Sequence, residues 1–124
     1  MNRTTASAPA ASIQIVSLNR GNRVIGQLRF RACKACRAGR IVDIWICDTW
    51  QGQGLGRELV HSLLAHHPGY RWSTTLQSRA GRGFFTSMAR ETTVALPHGG
   101  PLCSHLTGWF RRTRQRWLEG RSFR

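Results

Sequence analysis

Trp50-Gln51-Gly52-Gln53-Gly54-Leu55-Gly56-Arg57 stands between an apolar run and a segment with helical periodicity. Its three glycines place a loop with few side chains where a buried strand passes into a helix. Such a loop exposes backbone N–H groups at the positive end of the helix dipole. The stretch therefore predicts a binding site for a pyrophosphate.

The residues around this loop predict a mixed sheet flanked by helices. Residues 41–46 are apolar except for Asp43, which is typical of a strand buried on both faces. Residues 55–67 follow helical spacing. Further strands are expected over 13–18, 24–32, 70–76 and 94–96, and further helices over 81–92 and from residue 102 onward. The order β-β-β-α-β-α-(β)-α indicates an α/β or α+β sandwich.

The chain has 124 residues, the size of one domain. Nineteen Lys and Arg residues against five Asp and Glu residues give a formal net charge of +14. This charge favours anionic partners, whether nucleotide, nucleic acid or membrane surface, without choosing among them. We expect a flexible tail over residues 1–12, one domain over 13–110 and a basic tail over 111–124.

The sequence contains no apolar run of about 18 residues and no continuous apolar stretch of the kind that a secretory signal requires. We therefore expect a cytoplasmic protein without a membrane span, with reduced cysteines. Cys33 and Cys36 form a C-x-x-C pair in a predicted hairpin connection, the shape of half a zinc site. His98, Cys103 and His105 could complete it, but their spacing is not a standard one. The prediction is two free thiols and no metal, with a structural zinc as the alternative.

The glycine loop does not fit the two commonest phosphate-binding motifs. The dinucleotide motif G-x-G-x-x-G fails because Arg57 occupies its last position, and no G-x-x-x-x-G-K-S/T is present. Gln51-Gly52-Gln53-Gly54-Leu55-Gly56 instead resembles the acetyl-CoA loop of the GNAT acyltransferase family, Q/R-x-x-G-x-G/A. Residues 42–46 resemble the family's fourth strand. Ser78-x-x-Gly81-x-x-Phe84-Phe85 is similar to the family's N-x-x-A-x-x-F-Y, and the resemblance covers residues 24–92.

This resemblance implies a GNAT-like, mostly antiparallel sheet and an acetyl-CoA site. Backbone amides of residues 51–56 would hold the pyrophosphate, and the strand edge at Ile44-Trp45-Ile46 would pair with the pantetheine arm. Arg57 would add positive charge near the phosphates; the alternative is a solvated arginine with no role in binding. Ser78 occupies the position of the family's Asn. In this family an amine attacks the thioester directly, while the protein orients the reactants.

Two departures from the family pattern affect the substrate side. The tyrosine that often protonates the leaving thiolate falls at Phe85, which has no hydroxyl. About twenty residues precede the second predicted strand, too few for the family's usual opening strand and two helices. The part of the domain that binds the acceptor amine is therefore expected to be missing, or to be supplied by a second copy of the chain or by a protein partner.

Asp43 is the candidate general base, because burial in a central strand would desolvate its carboxyl group. The alternative is a structural aspartate paired with an arginine. We predict an acetyl-CoA-dependent N-acetyltransferase with an unidentified amine acceptor. The alternative function is a catalytically inactive GNAT-like basic module that binds nucleic acid or a protein partner, with the arginines of residues 111–124 as its phosphate contacts.

Overall fold

The computed structural model describes residues 12–75, 77–100 and 102–106. Its four strands form one sheet in chain order: β1 (Gln14–Arg20), β2 (Arg23–Cys33), β3 (Ala38–Ile46) and β4 (Arg71–Thr74). The first three strands are antiparallel neighbours, and β4 joins β3 in parallel. The predicted mixed, mostly antiparallel sheet is confirmed.

Two helices accompany this sheet. The helix α1 (Leu55–His66) connects β3 to β4, and α2 (Arg79–Thr92) follows β4. A single 3-10 turn over Asp48–Trp50 precedes α1 and was not predicted. Within the described residues, neither helix combines the length and the apolarity that a membrane span requires.

One hydrophobic core joins the helices to the sheet. The apolar spacing of α1 buries Leu59, Val60 and Leu63 against the sheet, as the helical pattern predicts. The alternating residues Leu28 and Phe30 of β2 lie in the same cluster. The sheet and helix contributions to this core therefore follow directly from the two periodicities in the sequence.

The helix α2 begins at Arg79, two residues before the predicted start. Ser78 is the reason, because its Oγ accepts a hydrogen bond from the backbone N–H of Gly81 at 3.0 Å and caps the helix. The spacing of apolar residues in the sequence does not predict this start, because the first turn of α2 has few apolar residues.

The strand predicted over 94–96 is wrong, because these residues are irregular. A single parallel bridge forms instead between Thr74 and His98. The amide of Thr74 donates to the carbonyl of Pro97, and the amide of Gly99 donates to Thr74, both at 2.8 Å. Left-handed backbone at Gly99 and Gly100 then turns the chain.

Several predictions lie outside the described residues. They include the tails over residues 1–11 and 111–124, the end of the strand predicted to reach residue 76, and most of the third helix. Within the part that the structure describes, only residues 104–106 of that helix are helical.

Candidate functional site

Strand β3 is paired on both sides at its start and on one side at its end. Its first four residues, 38–41, pair with β4, whereas residues 44–46 pair only with β2 among the described residues. A β-bulge separates the two parts, since Arg29 faces Asp43 while the next residue, Phe30, faces Ile41. The result is an open strand edge over residues 44–46.

The backbone orientation at this edge follows from one hydrogen bond. The amide of Cys47 donates to the carbonyl of Ile25 at 2.8 Å, on the β2 side. Alternation along an antiparallel strand then turns the polar backbone groups of Ile44 and Ile46 to the opposite, open edge. The carbonyl of Ile46 accepts a hydrogen bond there from Nε2 of Gln51 at 3.0 Å.

The glycine loop reaches the first turn of α1 through left-handed backbone. Gly52 has φ +82° and Gly54 has φ +76°, values that glycine adopts without steric cost. Gly54 is the N-cap of α1 and provides no side-chain cap. Among the described residues, no protein acceptor receives a hydrogen bond from the amides of residues 52–57. Six backbone donors are therefore clustered at the positive end of α1.

A cleft of about 740 Å³ joins the open strand edge to this loop. The close approach of α1 and α2 depends on Gly56, because a Cβ atom there would lie 3.2 Å from the ring of Phe84. Eight residues assigned to the site by sequence analysis line this cleft together: Ile44, Ile46, Gln51, Gly52, Gly54, Leu55, Gly56 and Arg57.

Four other residues assigned to the site by sequence analysis do not line the cleft. They are Asp43, Trp45, Gln53 and Ser78. The hydroxyl of Ser78 is engaged in capping α2, and Trp45 is half-buried. Their assignments to acetyl-CoA binding or catalysis stay predictions.

Five cleft residues were not among the predicted site residues, although Trp50, Gly81 and Phe84 stand in the motifs that carry the resemblance. Asp48 and Trp50 come from the 3-10 turn, which has no periodic signal. Ala80, Gly81 and Phe84 come from the first turns of α2. Their spacing of one, three and four residues puts them on one helix face, so the helical pattern after Ser78 could have identified them.

Arg57 is held between the loop and α2. Its Nε and Nη2 donate to the carboxylate of Glu91 at 2.9 to 3.1 Å, and His61 Nε2 lies 2.5 Å from Oε2 of the same carboxylate. These contacts lower the pKa of Glu91, with the hydrogen bond from Arg57 as the largest cause. A Cβ at Gly54 would lie 3.9 Å from Nη1 of Arg57. The guanidinium therefore lies beside the glycine loop although it is paired.

Asp43 lies in a cross-strand ion pair. Its carboxylate accepts a hydrogen bond from Nε of Arg29 at 2.8 Å and a second from Nη2 of the same residue. Burial of Asp43 is nearly complete, at 4% exposure. Because Ile44 belongs to the core and neighbouring side chains alternate, Asp43 points to the other face of the sheet. The arrangement matches the paired structural aspartate, and the role of general base stays a prediction.

The two aromatic residues of the α2 motif occupy different environments. Phe84 lines the cleft, whereas Phe85 is 1% exposed and belongs to the hydrophobic core. Their rings contact edge to face, with centroids 5.0 Å apart. Of the two residues, Phe84 is thus the one that lines the cleft, although the resemblance aligns Phe85 with the family tyrosine.

Comparisons with known proteins agree with this architecture. No curated protein sequence matches the chain. Among solved structures, Tetrahymena GCN5 aligns with a TM-score of 0.57 and 19% identity, covering 61% of this chain and 49% of that one. A GNAT family acetyltransferase from Streptococcus pneumoniae TIGR4 aligns with a TM-score of 0.55 and 22% identity, covering 74% and 70%.

A ribosomal-protein-alanine N-acetyltransferase from Brucella melitensis biovar Abortus 2308 aligns with a TM-score of 0.50 and 16% identity, covering 74% of this chain and 66% of that one. At these identities the likeness shows the fold, and the chain spans about half the length of the Tetrahymena structure. The model of the acetyltransferase (GNAT) family matches residues 3–88, well over half of the sequence. The chain therefore belongs to the GNAT acetyltransferase family.

Proposed function

We propose that this protein transfers an acetyl group from acetyl-CoA to an amine. The family and its fold neighbours support acyl transfer in general. The observation that carries the more specific proposal is the cluster of backbone amides over residues 52–57, which donate to no described protein atom. All of these residues except Gln53 line the cleft that also includes Ile44 and Ile46 of the open strand edge. This combination suits a ligand with a diphosphate at one end and an extended amide chain at the other.

The chain's own groups fit such a ligand at three points. The amides of the glycine loop would donate to the diphosphate oxygens, and the dipole of α1 favours their negative charge. The backbone of Ile44 and Ile46 would pair with the amides of the pantetheine arm, as an added strand does. The apolar side chains of Leu55 and Phe84 would contact the aliphatic parts. We further propose that Arg57 contributes positive charge near the phosphates.

The reaction itself needs few chemical groups from the protein. The amine nitrogen forms a bond to the thioester carbonyl carbon, the carbon–sulfur bond breaks, and the proton lost by the amine balances the thiol that leaves. Holding the amine and the thioester in contact supplies much of the rate enhancement. We propose Asp43 for proton removal through a bridging water, since its carboxylate does not itself line the cleft. Asp43→Asn should then lower kcat about 100-fold or more in folded protein, and an unchanged kcat would remove Asp43 from the mechanism.

The binding proposal is tested by the melting temperature with and without acetyl-CoA. Gly54→Ala and Gly54→Glu impose the same left-handed backbone strain, but only the glutamate adds a negative charge beside the diphosphate. We expect acetyl-CoA to stabilise the unmodified chain and Gly54→Ala, and to leave Gly54→Glu unaffected. An equal thermal shift in folded Gly54→Glu would disprove the assignment of the loop.

A second candidate function, an inactive binding module, has one observation in its favour. None of the described cleft-lining residues carries a hydroxyl or thiol group that could protonate the leaving thiolate. Release of free CoA with a panel of amines separates the two functions. Thermal stabilisation by acetyl-CoA without CoA release from any amine would favour the module. Binding to nucleic acid through the phosphates would then weaken steeply with added salt, since counterion release drives it.

A further inference from the structure

Three cysteines and one histidine meet at the end of the sheet remote from the cleft. The Sγ atoms of Cys33, Cys36 and Cys103 and a ring nitrogen of His105 all lie within 4.8 Å of one another. Nδ1 of His105 is 3.3 Å from the sulfur of Cys33 and 3.6 Å from the sulfur of Cys36. None of the three thiols takes part in a disulfide among the described residues.

The local sequence folds in a way that presents the first two sulfurs together. Cys33 ends β2, Ala38 begins β3, and Arg37 adopts left-handed backbone in the turn between them. This turn brings Cys36 to the same side as Cys33, so that both sulfurs lie within 3.6 Å of Nδ1 of His105.

The other two donors arrive from a segment about seventy residues later in the sequence. Cys103 directly precedes a short helical turn over residues 104–106, His105 lies within this turn, and Leu106 in the same turn is 1% exposed. The segment is therefore anchored in the interior at one residue and presents both donors to the β2–β3 turn. His98, the other histidine considered from the sequence, bridges to Thr74 and is not part of the cluster.

The donor set and its dimensions fit one zinc ion. Zinc prefers four tetrahedral nitrogen and sulfur ligands, and Zn–S and Zn–N bonds of about 2.3 and 2.1 Å place sulfur and nitrogen ligands about 3.6 Å apart. The two distances from His105, 3.3 and 3.6 Å, are close to that value. Soft thiolates disfavour magnesium and calcium, which prefer oxygen ligands.

We propose that Cys33, Cys36, Cys103 and His105 form a structural zinc site that joins the β2–β3 turn to the segment 102–106. With four protein ligands the site is closed, which is the arrangement of structural rather than catalytic zinc. Three thiolates and one Zn²⁺ leave a net charge of −1, which is favourable in a chain of charge +14.

The site would act as a cross-link in a small domain. Metal binding to groups that are apart in the unfolded chain adds directly to folding stability, and small cores benefit most from such cross-links. Ala38 and Ile44 are separated by six residues of strand, or about 20 Å. The zinc site is thus remote from the cleft, and its test is independent of acetyl transfer.

Elemental analysis of the full chain, purified without chelators under reducing conditions, tests the proposal. We expect about one zinc ion per chain. Cys103→Ser should lose most of this zinc, whereas Cys47→Ser should retain it, because Cys47 lies outside the cluster and its sulfur donates to the carbonyl of Val24 at 3.8 Å. A chelator should lower the melting temperature of the unmodified chain and of Cys47→Ser.

Cobalt substitution keeps the test decisive if Cys103→Ser does not fold. The unmodified chain loaded with Co²⁺ should show the thiolate charge-transfer and intense visible bands of a tetrahedral site. Folded, reduced protein with far less than one zinc per chain and no such bands would overturn the proposal. A disulfide between Cys33 and Cys36 in freshly purified protein, or full zinc content in Cys103→Ser, would also overturn it.

Discussion

Arg29 and Asp43 are directly opposed residues on β2 and β3, and their side chains form an ion pair next to the bulge that follows the part of β3 paired with β4. The side chains are 24% and 6% exposed, so the carboxylate is the more deeply buried partner. Removal of one partner leaves the other charge poorly solvated, which is more costly than loss of both. The ion pair therefore stabilises the sheet at the place where the open strand edge begins.

We expect Asp43→Asn to lower the free energy of unfolding by about 3 kcal/mol, the lower end for buried pairs because Arg29 is partly exposed. The double variant Arg29→Met with Asp43→Leu should recover most of this loss. Urea denaturation measures all three chains. If the double variant is as unstable as Asp43→Asn, or if Asp43→Asn is as stable as the unmodified chain, the ion pair does not act as described.

The pH dependence of stability should report the contact between α1 and α2. Glu91 has its pKa lowered from 4.5 by Arg57 first and then by His61. A carboxyl group with a lowered pKa stabilises the folded state above its ordinary pKa, and this contribution disappears as the pH falls through the lowered value. Glu91→Gln should thus reduce the melting temperature near neutral pH, and the difference should vanish in acid, well below pH 4.5.

The matched control is Glu58→Gln, which removes the same charge from α1. Glu58 forms no ion pair with any described residue. Glu58→Gln should lower the melting temperature near neutral pH by less than Glu91→Gln does. High salt should reduce the effect at Glu91, because the ion pair is largely exposed. Equal pH profiles for the two variants would contradict the assignment.

The regular elements that border the site could be predicted because their patterns are local. The helix expected over 55–67 is observed as Leu55–His66, and the strand expected over 41–46 is the end of β3. The bulge at Val42 could not be predicted, because an apolar run fits a strand with or without an extra residue. The bulge puts Ile41 and Ile44 on the same core face and turns Asp43 away from it.

Most of the features that could not be predicted depend on contacts between residues that are far apart in the sequence. The C-x-x-C turn and the residues Cys103 and His105 are distant in sequence, and their spacing matches no standard metal motif. The core residue Leu106, which anchors the second pair, belongs to the apolar stripe of the helix predicted from residue 102, but that stripe does not show which part of the domain it packs against. The strand predicted over 94–96 failed for a related reason, since the contact of that region with Thr74 is a single bridge at His98.

Adding a hydroxyl group to the two aromatic residues of α2 should have opposite effects. Phe84→Tyr places the hydroxyl at the wall of the cleft, where it can donate to a leaving thiolate, and we expect CoA release to increase with little change in stability. Phe85→Tyr forces a hydroxyl into the core and should cost about 1–3 kcal/mol of folding stability without increasing the rate.

The rate of CoA release and the urea midpoint distinguish the two outcomes. Each variant serves as the control for the other, because they add the same atom at adjacent positions. If Phe85→Tyr releases CoA faster and Phe84→Tyr does not, the position aligned with the family tyrosine, and not the residue that lines the cleft, determines proton donation.

Gly39 of β3 lies opposite Trp72 of β4, and the ring of Trp72 fills the space that a side chain would need. A Cβ at residue 39 would lie 2.3 Å from the ring, which is 4% exposed and packs against Phe30 at a centroid distance of 5.8 Å. The ring is also packed against His67 and Tyr70, with centroids 5.5 and 6.0 Å away. Gly39→Ala should therefore lower the free energy of unfolding by about 1–3 kcal/mol through overpacking.

Gly83 in the interior of α2 is the matched control, since a Cβ there would meet no atom within 4 Å and its backbone is helical. Gly83→Ala should raise stability by about 0.5–1 kcal/mol, because alanine loses less backbone entropy on folding. Urea midpoints of the two variants should thus shift in opposite directions. A stable Gly39→Ala would mean that β4 can move away from β3, and the parallel pairing that leaves the edge at residues 44–46 open would then not be rigid.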